Sequence, residues 1–222
     1  PLATPSTLLS FWGDAVFWAY LIGVARFITV LAALDTGSSF EGMGASREVT
    51  FASLAEPALF VALAVIAKVT GSVQLSEMFG PVLGSAWHTA APALALAAAS
   101  LFLVLLAENA RIPVDDPQTH LELTMIHEVM VLDHSGPDFA MILYGSALKL
   151  FLFGVLLVRL LVPPPIGMPW LALGLLLAGW LGLAVLIGIV ESSMARLRLI
   201  RVPQLLVTSG VLAAVGLLLV WR

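Results

Sequence analysis

Carboxylates and imidazoles, the side chains that exchange protons, pair with cations and ligate metals, crowd into one short stretch of this chain. Between Leu106 and Asp138, in LAENARIPVDDPQTHLELTMIHEVMVLDHSGPD, stand seven of the 14 acids and three of the four histidines. The acids are Glu108, Asp115, Asp116, Glu122, Glu128, Asp133 and Asp138. Unpaired carboxylates are costly to bury, so such an island beside apolar segments requires water or a protein partner over it.

Several of these residues are placed to titrate. Glu122 falls inside the apolar arc of the segment from Pro117 to His134, and Asp133 follows three turns later on nearly the same side. Desolvation there raises a carboxyl pKa and suits reversible protonation, whereas the alternative has both acids capping or pairing with arginines at a subunit contact. Glu56 and Glu108 stand at the ends of apolar segments, and Arg26 and Lys149 lie deeper in theirs. Intramembrane charge is a functional signal, and these four admit a polar axis running inward; structural ion pairs, Glu56 with Arg26 among them, explain the same residues. Asp14, Lys68 and Arg159 sit nearer segment ends, where snorkelling accounts for them.

The histidines invite a metal reading that the spacing does not support. His127-Glu128 begins like a zinc-protease signature, but position 131 is Val. His120 and His127 are two turns apart, too far to share an ion unless another segment contributes. Gly42-Met43-Gly44 is only a fragment of a phosphate-binding loop. With no cysteine, the chain alone houses neither a disulfide nor a cysteine-ligated iron–sulfur cluster. A net charge of −4 without a basic stripe gives no support for nucleic-acid binding.

The elements that must position these groups are membrane helices. Hydrophobic residues make up 60% of the chain, charged residues only 11%, against about 25% in soluble domains, and mean hydropathy is +1.05. The alternating pattern of a membrane β-barrel is absent. The expected fold is all-α and polytopic, a single membrane domain over residues 1–222 with six spans: Phe11–Leu34, Leu54–Thr70, Thr89–Ala107, Phe139–Val162, Trp170–Val190 and Gln204–Trp221. Glu56, Pro57 and Lys68 interrupt the second, whose start reaches back towards Arg47. Residues 108–138 form the acidic loop between spans three and four. Within it, Leu121, Leu123, Met125, Ile126, Val129, Met130 and Leu132 predict an amphipathic interfacial helix with His120, Thr124 and His127 on its other face. Asp116 and Pro117 suit its start, and Gly136-Pro137 its stop. Arg47, Arg111, Arg196, Arg198 and Arg201 fall in the odd-numbered loops and Arg222 opposite, which predicts that the odd loops face the cytoplasm. No repeated halves are visible. The chain opens at Pro1 with no signal-peptide pattern, as expected of a fragment or processed form.

The run Glu108-Asn109-Ala110-Arg111-Ile112-Pro113-Val114-Asp115-Asp116-Pro117, followed by Leu121-Glu122-Leu123 and Ser135-Gly136, closely resembles the membrane-anchor subunits of formate hydrogenlyase and other group 4 membrane-bound nickel–iron hydrogenases, relatives of subunit 1 of respiratory complex I. Gly44-Ala45-Ser46-Arg47 with Glu56, and Arg196-Leu197-Arg198 with Arg201 and Gln204, resemble the family's other two motifs, so the likeness covers essentially the whole chain. It implies a non-redox subunit of the prokaryotic cell membrane, lying beneath a hydrogenase-type large subunit and an iron–sulfur subunit and beside antiporter-like partners. The nickel–iron centre and the clusters would belong to those partners. By the same resemblance Glu56 and Glu108 match acids of a chain leading into the membrane arm, Glu122 and Asp133 match acids of the following helix, Arg111 and Asp115 match a loop pair, and Arg47 and Arg201 match basic residues near the quinone chamber. The expected proton-coupling set is these four acids with the intramembrane Arg26 and Lys149, and Arg47, Arg111, Asp115, His120 and Arg201 are the expected interface or loop-stabilising residues. His120 stands where the complex I pattern has an acid, and the interval from Glu122 to Ser135 is slightly longer, as in the hydrogenase branch. These departures favour a hydrogenase-type complex over a quinone-binding one. The family also carries roughly two further upstream spans. A quinone-reducing complex and a stand-alone secondary transporter are the competing readings; transporters commonly show repeated halves.

Overall fold

The computed structural model describes residues 10–115 and 125–221. Among them, six helices are long and apolar enough to cross a membrane, and no strand occurs. The elements are α1 (Asp14–Asp35), α2 (Ser39–Thr70), a short α3 (Leu75–Met78), α4 (Val82–Glu108), α5 (Gly136–Leu161), α6 (Pro169–Ser193) and α7 (Val202–Trp221). Two 3-10 turns, Glu128–Val131 and Leu199–Arg201, lie in the loops before α5 and α7. The α1–α2, α4–α5 and α6–α7 connections gather on one side of the bundle, called here the loop side.

Helices α2, α4 and α7 form the centre, α1 packs on α2, and α5 and α6 extend outward from α4 in turn. Close approach at the centre follows from small side chains: Ala58, Ala62, Ala93, Ala97 and Ala213 are buried, and at Gly216 a Cβ would lie 3.2 Å from the Ala93 carbonyl. In lipid, where helix association relies on packing rather than on a hydrophobic driving force, such positions let backbones touch. Ile66, Leu94, Leu105 and Leu206 fill the remaining space. The outer faces of α1, α5 and α6 stay apolar and exposed, as a bilayer requires.

Three expectations are corrected. Helix α2 runs 32 residues from Ser39, not from Leu54, about 48 Å and longer than the ~30 Å hydrocarbon core. Its first turns are polar and project on the loop side, while Pro57 sits inside it without ending it. Helix α4 begins at Val82 rather than Thr89, and its kink at Ala90 (φ −127°) falls two residues before Pro92, whose ring crowds the preceding turn. Third, the described part of the expected amphipathic segment is a single 3-10 turn, not a continuous helix at the interface. Val114 and Ile126 pack between α2, α4 and α7, and Met130 packs on Val30, Ala33 and Ala45. Residues 116–124, including His120 and Glu122, lie outside the described residues.

The loop docks through Gly44. A Cβ there would lie 2.3 Å from Val129 Cγ1 and 2.9 Å from the Ile126 carbonyl oxygen. Arg47 Nη1 donates to the Met125 carbonyl at 2.9 Å, and the fully buried Glu41 accepts the Asp133 backbone N–H at 3.1 Å.

Gly44→Val is expected to destabilise loop docking by ~1–3 kcal/mol through overpacking. Gly42→Ala, whose Cβ meets nothing within 4 Å, should be neutral or gain up to about 1 kcal/mol from helix propensity. Protease cleavage rates within residues 109–135 measure both.

Candidate functional site

The α1–α2 hairpin sets the level of the site. Arg26 lies nine residues before the end of α1 and Glu48 nine residues after the start of α2, so in antiparallel helices both stand about 14 Å from the hairpin tip. Arg26 Nε meets Glu48 Oε1 at 3.0 Å. Its two terminal nitrogens pair with Glu56 and Glu108, the latter at the end of α4. The guanidinium fork is suited to this, since its donors point in several directions in one plane. Only 8% of the Arg26 side chain is exposed.

From this centre a chain of alternating charge runs in both directions. Lys149 Nζ, from the middle of α5, reaches Glu108 Oε2 at 3.3 Å. On the other side His127 Nε2 lies 3.1 Å from Glu48 Oε2, and its Nδ1 lies 3.7 Å from Asp115 Oδ2. These are ion-pair distances without good hydrogen-bond alignment at the imidazole. Arg196 Nη2 follows, 2.9 Å from Asp115 Oδ1. Asp115 also accepts the backbone N–H groups of Ile126 (3.1 Å) and His127 (3.3 Å), so this buried carboxylate shapes the loop that carries His127. The order is Lys149, Glu108, Arg26, Glu48, His127, Asp115, Arg196, with Glu56 as a branch.

Among the described residues, four carboxylates of this series meet three permanent cations, and a protonated His127 balances them. Burial alone would lower the His127 pKa, but the Glu48 carboxylate and then Asp115 outweigh it and hold the imidazolium up to about 9. Burial likewise would raise Asp115; hydrogen bonding to His127, its charge and that of Arg196 bring it below the ordinary carboxylate value. Between Glu48, Glu108 and His127 lies a cavity of about 10 Å³, room for about one water. The arrangement can hold charge in a low-dielectric setting and pass a proton over short steps.

Of the residues singled out from sequence, Arg26, Glu56, Glu108, Lys149 and Asp115 are brought together. Arg47 supports the loop instead. Arg111 does not take Asp115 as its side-chain partner: Asp115 turns to Arg196 and His127, and Arg111 Nη1 lies 3.4 Å from Glu191 Oε1. Asp133 and Arg201 are exposed and apart from the series. His127 faces inward, not along an outer polar face with His120, because the described part of the segment assigned to that helix is not helical. Glu48 was not singled out, although its position opposite Arg26 across a short hairpin carries the signal.

The chain matches the family model described as NADH dehydrogenase over residues 1–221. It is 32% identical over 217 residues to formate hydrogenlyase subunit 4 of Escherichia coli (strain K12), covering 92% of this chain and 67% of that protein. It is 34% identical over 151 residues to hydrogenase-4 component C of the same organism, covering 68% of this chain and 46% of that one. The chain thus spans about two thirds of one relative and under half of the other.

The pH dependence of stability has a defined sign. His127, raised when folded, contributes fully below its ordinary value of about 6.5, and the contribution is lost as pH rises through about 9. Asp115, lowered when folded, contributes above the ordinary carboxylate value and loses that contribution as pH falls through its folded pKa. Thermal unfolding across this range should show an alkaline decline that His127→Gln abolishes and an acid decline that Asp115→Asn reduces. Arg26→Gln, which leaves three carboxylates without their shared cation, should cost ~3–5 kcal/mol.

Proposed function

The chain belongs to the NADH dehydrogenase family, and from that premise we propose that it is a non-redox membrane subunit of an energy-converting, hydrogenase-type oxidoreductase. In this reading it anchors a peripheral redox arm on its loop side and couples electron transfer there to movement of protons or sodium ions through the membrane. The observation that carries the reading is the series from Lys149 to Arg196, which joins the interior of a membrane domain to the loop between α4 and α5 through successive ion-pair contacts.

The coupling follows from electrostatics. In a neutral chain of ion pairs, a change of charge at the loop end alters the balance of every pair further in, because low dielectric screens it poorly. A proton leaving His127 for Glu48 neutralises both at once and weakens the hold of Glu48 on Arg26; the adjoining water-sized cavity reaches Glu108, which pairs with Lys149. Asp115 and Arg196 hold the imidazole on the loop side. Glu122, Asp133, His120 and Arg201 have no assigned step in this path. The two relatives are named as components of formate hydrogenlyase and of hydrogenase-4, which supports hydrogenase-type subunits as partners; in this proposal a nickel–iron large subunit and an iron–sulfur subunit hold the redox centres, since this chain has no cysteine to ligate a cluster. Antiporter-like membrane subunits would take up the transmitted charge, and the arginine-bearing loops would face the cytoplasm.

Purification of the tagged chain from native membranes should recover a nickel-containing complex. Recovery of the chain alone, ion flux by the isolated chain in liposomes, or a nickel-free complex that reduces quinone would overturn the proposal. Glu108→Gln should leave subunit recovery intact and lower coupled ion transport about tenfold, equivalent to ~1.4 kcal/mol; loss of assembly instead would assign Glu108 a structural role.

A further inference from the structure

A second cavity, apart from the charged series, lies between α5 and α6. It measures about 270 Å³ and is walled by Leu150, Trp180, Leu183 and Ile187, with Gly154 and Gly188 at its floor and Arg111 and Glu191 at one end. Arg111 and Glu191 are themselves half-exposed and held loosely, 3.4 Å apart. Among the described residues the buried Arg111 Nε finds no acceptor, and neither does the Trp180 indole N–H. Packing within the described chain therefore leaves this groove incomplete, and a buried donor left unmet is costly. A backbone bond from Leu197 N–H to the Pro113 carbonyl, 2.9 Å, ties the loop after α6 to the segment carrying Arg111 and fixes the two charges at the same end.

The dimensions are those of a lipid site. Trp180 and Glu191 are eleven residues apart on α6, about 16 Å along the axis, and half the hydrocarbon core is about 15 Å. The groove thus runs from an ion pair at the loop side to the middle of the membrane, one leaflet deep. An anionic head alone would be repelled by Glu191 and a cationic head by Arg111. A head carrying both signs satisfies both. We infer that this groove binds a zwitterionic phospholipid of the ethanolamine type, with its phosphate on the Arg111 guanidinium, its ammonium on the Glu191 carboxylate and one acyl chain along Leu183 and Ile187. The site stands on the groove alone and does not depend on the hydrogenase reading.

Gly188 offers the test, because a Cβ there meets nothing within 4 Å; a large side chain at this position enters the groove without displacing backbone. The complex containing this chain would be purified in detergent, exchanged with equal phosphatidylethanolamine and phosphatidylglycerol, and its retained lipid measured by native mass spectrometry. Wild type should retain phosphatidylethanolamine in excess. Gly188→Phe should lower that retention about tenfold, and Glu191→Gln should abolish the preference for ethanolamine over glycerol heads while lipid is still bound. Ala184→Phe, filling the same groove from the next turn, serves if Gly188→Phe does not fold. Retention unchanged by both filled variants, equal retention of the two lipids by wild type, recovery of a quinone in place of phospholipid, or no retained amphiphile because another segment fills the groove would each overturn the inference.

Discussion

The fold depends on one guanidinium that has no alternative to its three carboxylates. Arg26 is nearly all buried among Glu48, Glu56 and Glu108, and removing such a charge from water costs several kcal/mol that only well-placed opposite charges return. The requirement is mutual, since Glu48 and Glu108 are buried as well. Because the partners come from α1, α2 and α4, and Glu108 in turn engages Lys149 of α5, the electrostatic demand constrains four helices at once. A lysine in place of Arg26 would offer a point charge without the planar fork, so the substitution is not conservative here.

Apolar packing makes that meeting affordable in geometric terms. Alanines on α2, α4 and α7 bring the central backbones close, and the short α1–α2 turn places Arg26 and Glu48 level. On the loop side, Gly44 gives room for Val129 while Asp115 organises the backbone of Ile126 and His127. The loop is thus held by the same kinds of contact that hold the helices, and the imidazole it delivers completes the neutrality of the charged series. Packing and charge are two views of one constraint.

The spans were legible in the sequence because some twenty apolar residues have few alternatives to a membrane helix. The first third of α2 was not, since hydropathy registers where a helix enters lipid rather than where it begins. The expected start at Thr89 lies beside the bend at Ala90, but the helix continues through the bend and begins at Val82. The segment from Met125 to Met130 has apolar spacing that a 3-10 turn against a protein surface satisfies as well as an α-helix against a bilayer, and the pattern alone does not choose. Charges were harder still. Arg111 and Asp115 are neighbours in sequence, but in a loop such nearness does not set side-chain direction, and each finds a partner from beyond α5: Glu191 and Arg196. Glu48 lies in the polar first turns of α2, and its burial follows only from α1 and the loop laid across it.

Unequal exposure gives the charged series a direction. Glu108, Glu48, Asp115 and Arg26 have side chains no more than 8% exposed, whereas Glu56 is 45% exposed beside Gly23. The stretch from Glu108 through Arg26 to Glu48 is therefore closed to solvent, and its branch at Glu56 opens laterally between α1 and α2, within the length of a spanning helix. A carboxylate so placed is costly against hydrocarbon and stable against water or a polar neighbour. Charge introduced among the buried members cannot be screened where it stands; it is relieved by moving to a member that meets something outside the fold. Glu56, His127, Lys149 and Arg196, the most exposed groups of the series, mark where such relief is available, and Arg26, Glu48, Glu108 and Asp115 between them mark where it is not.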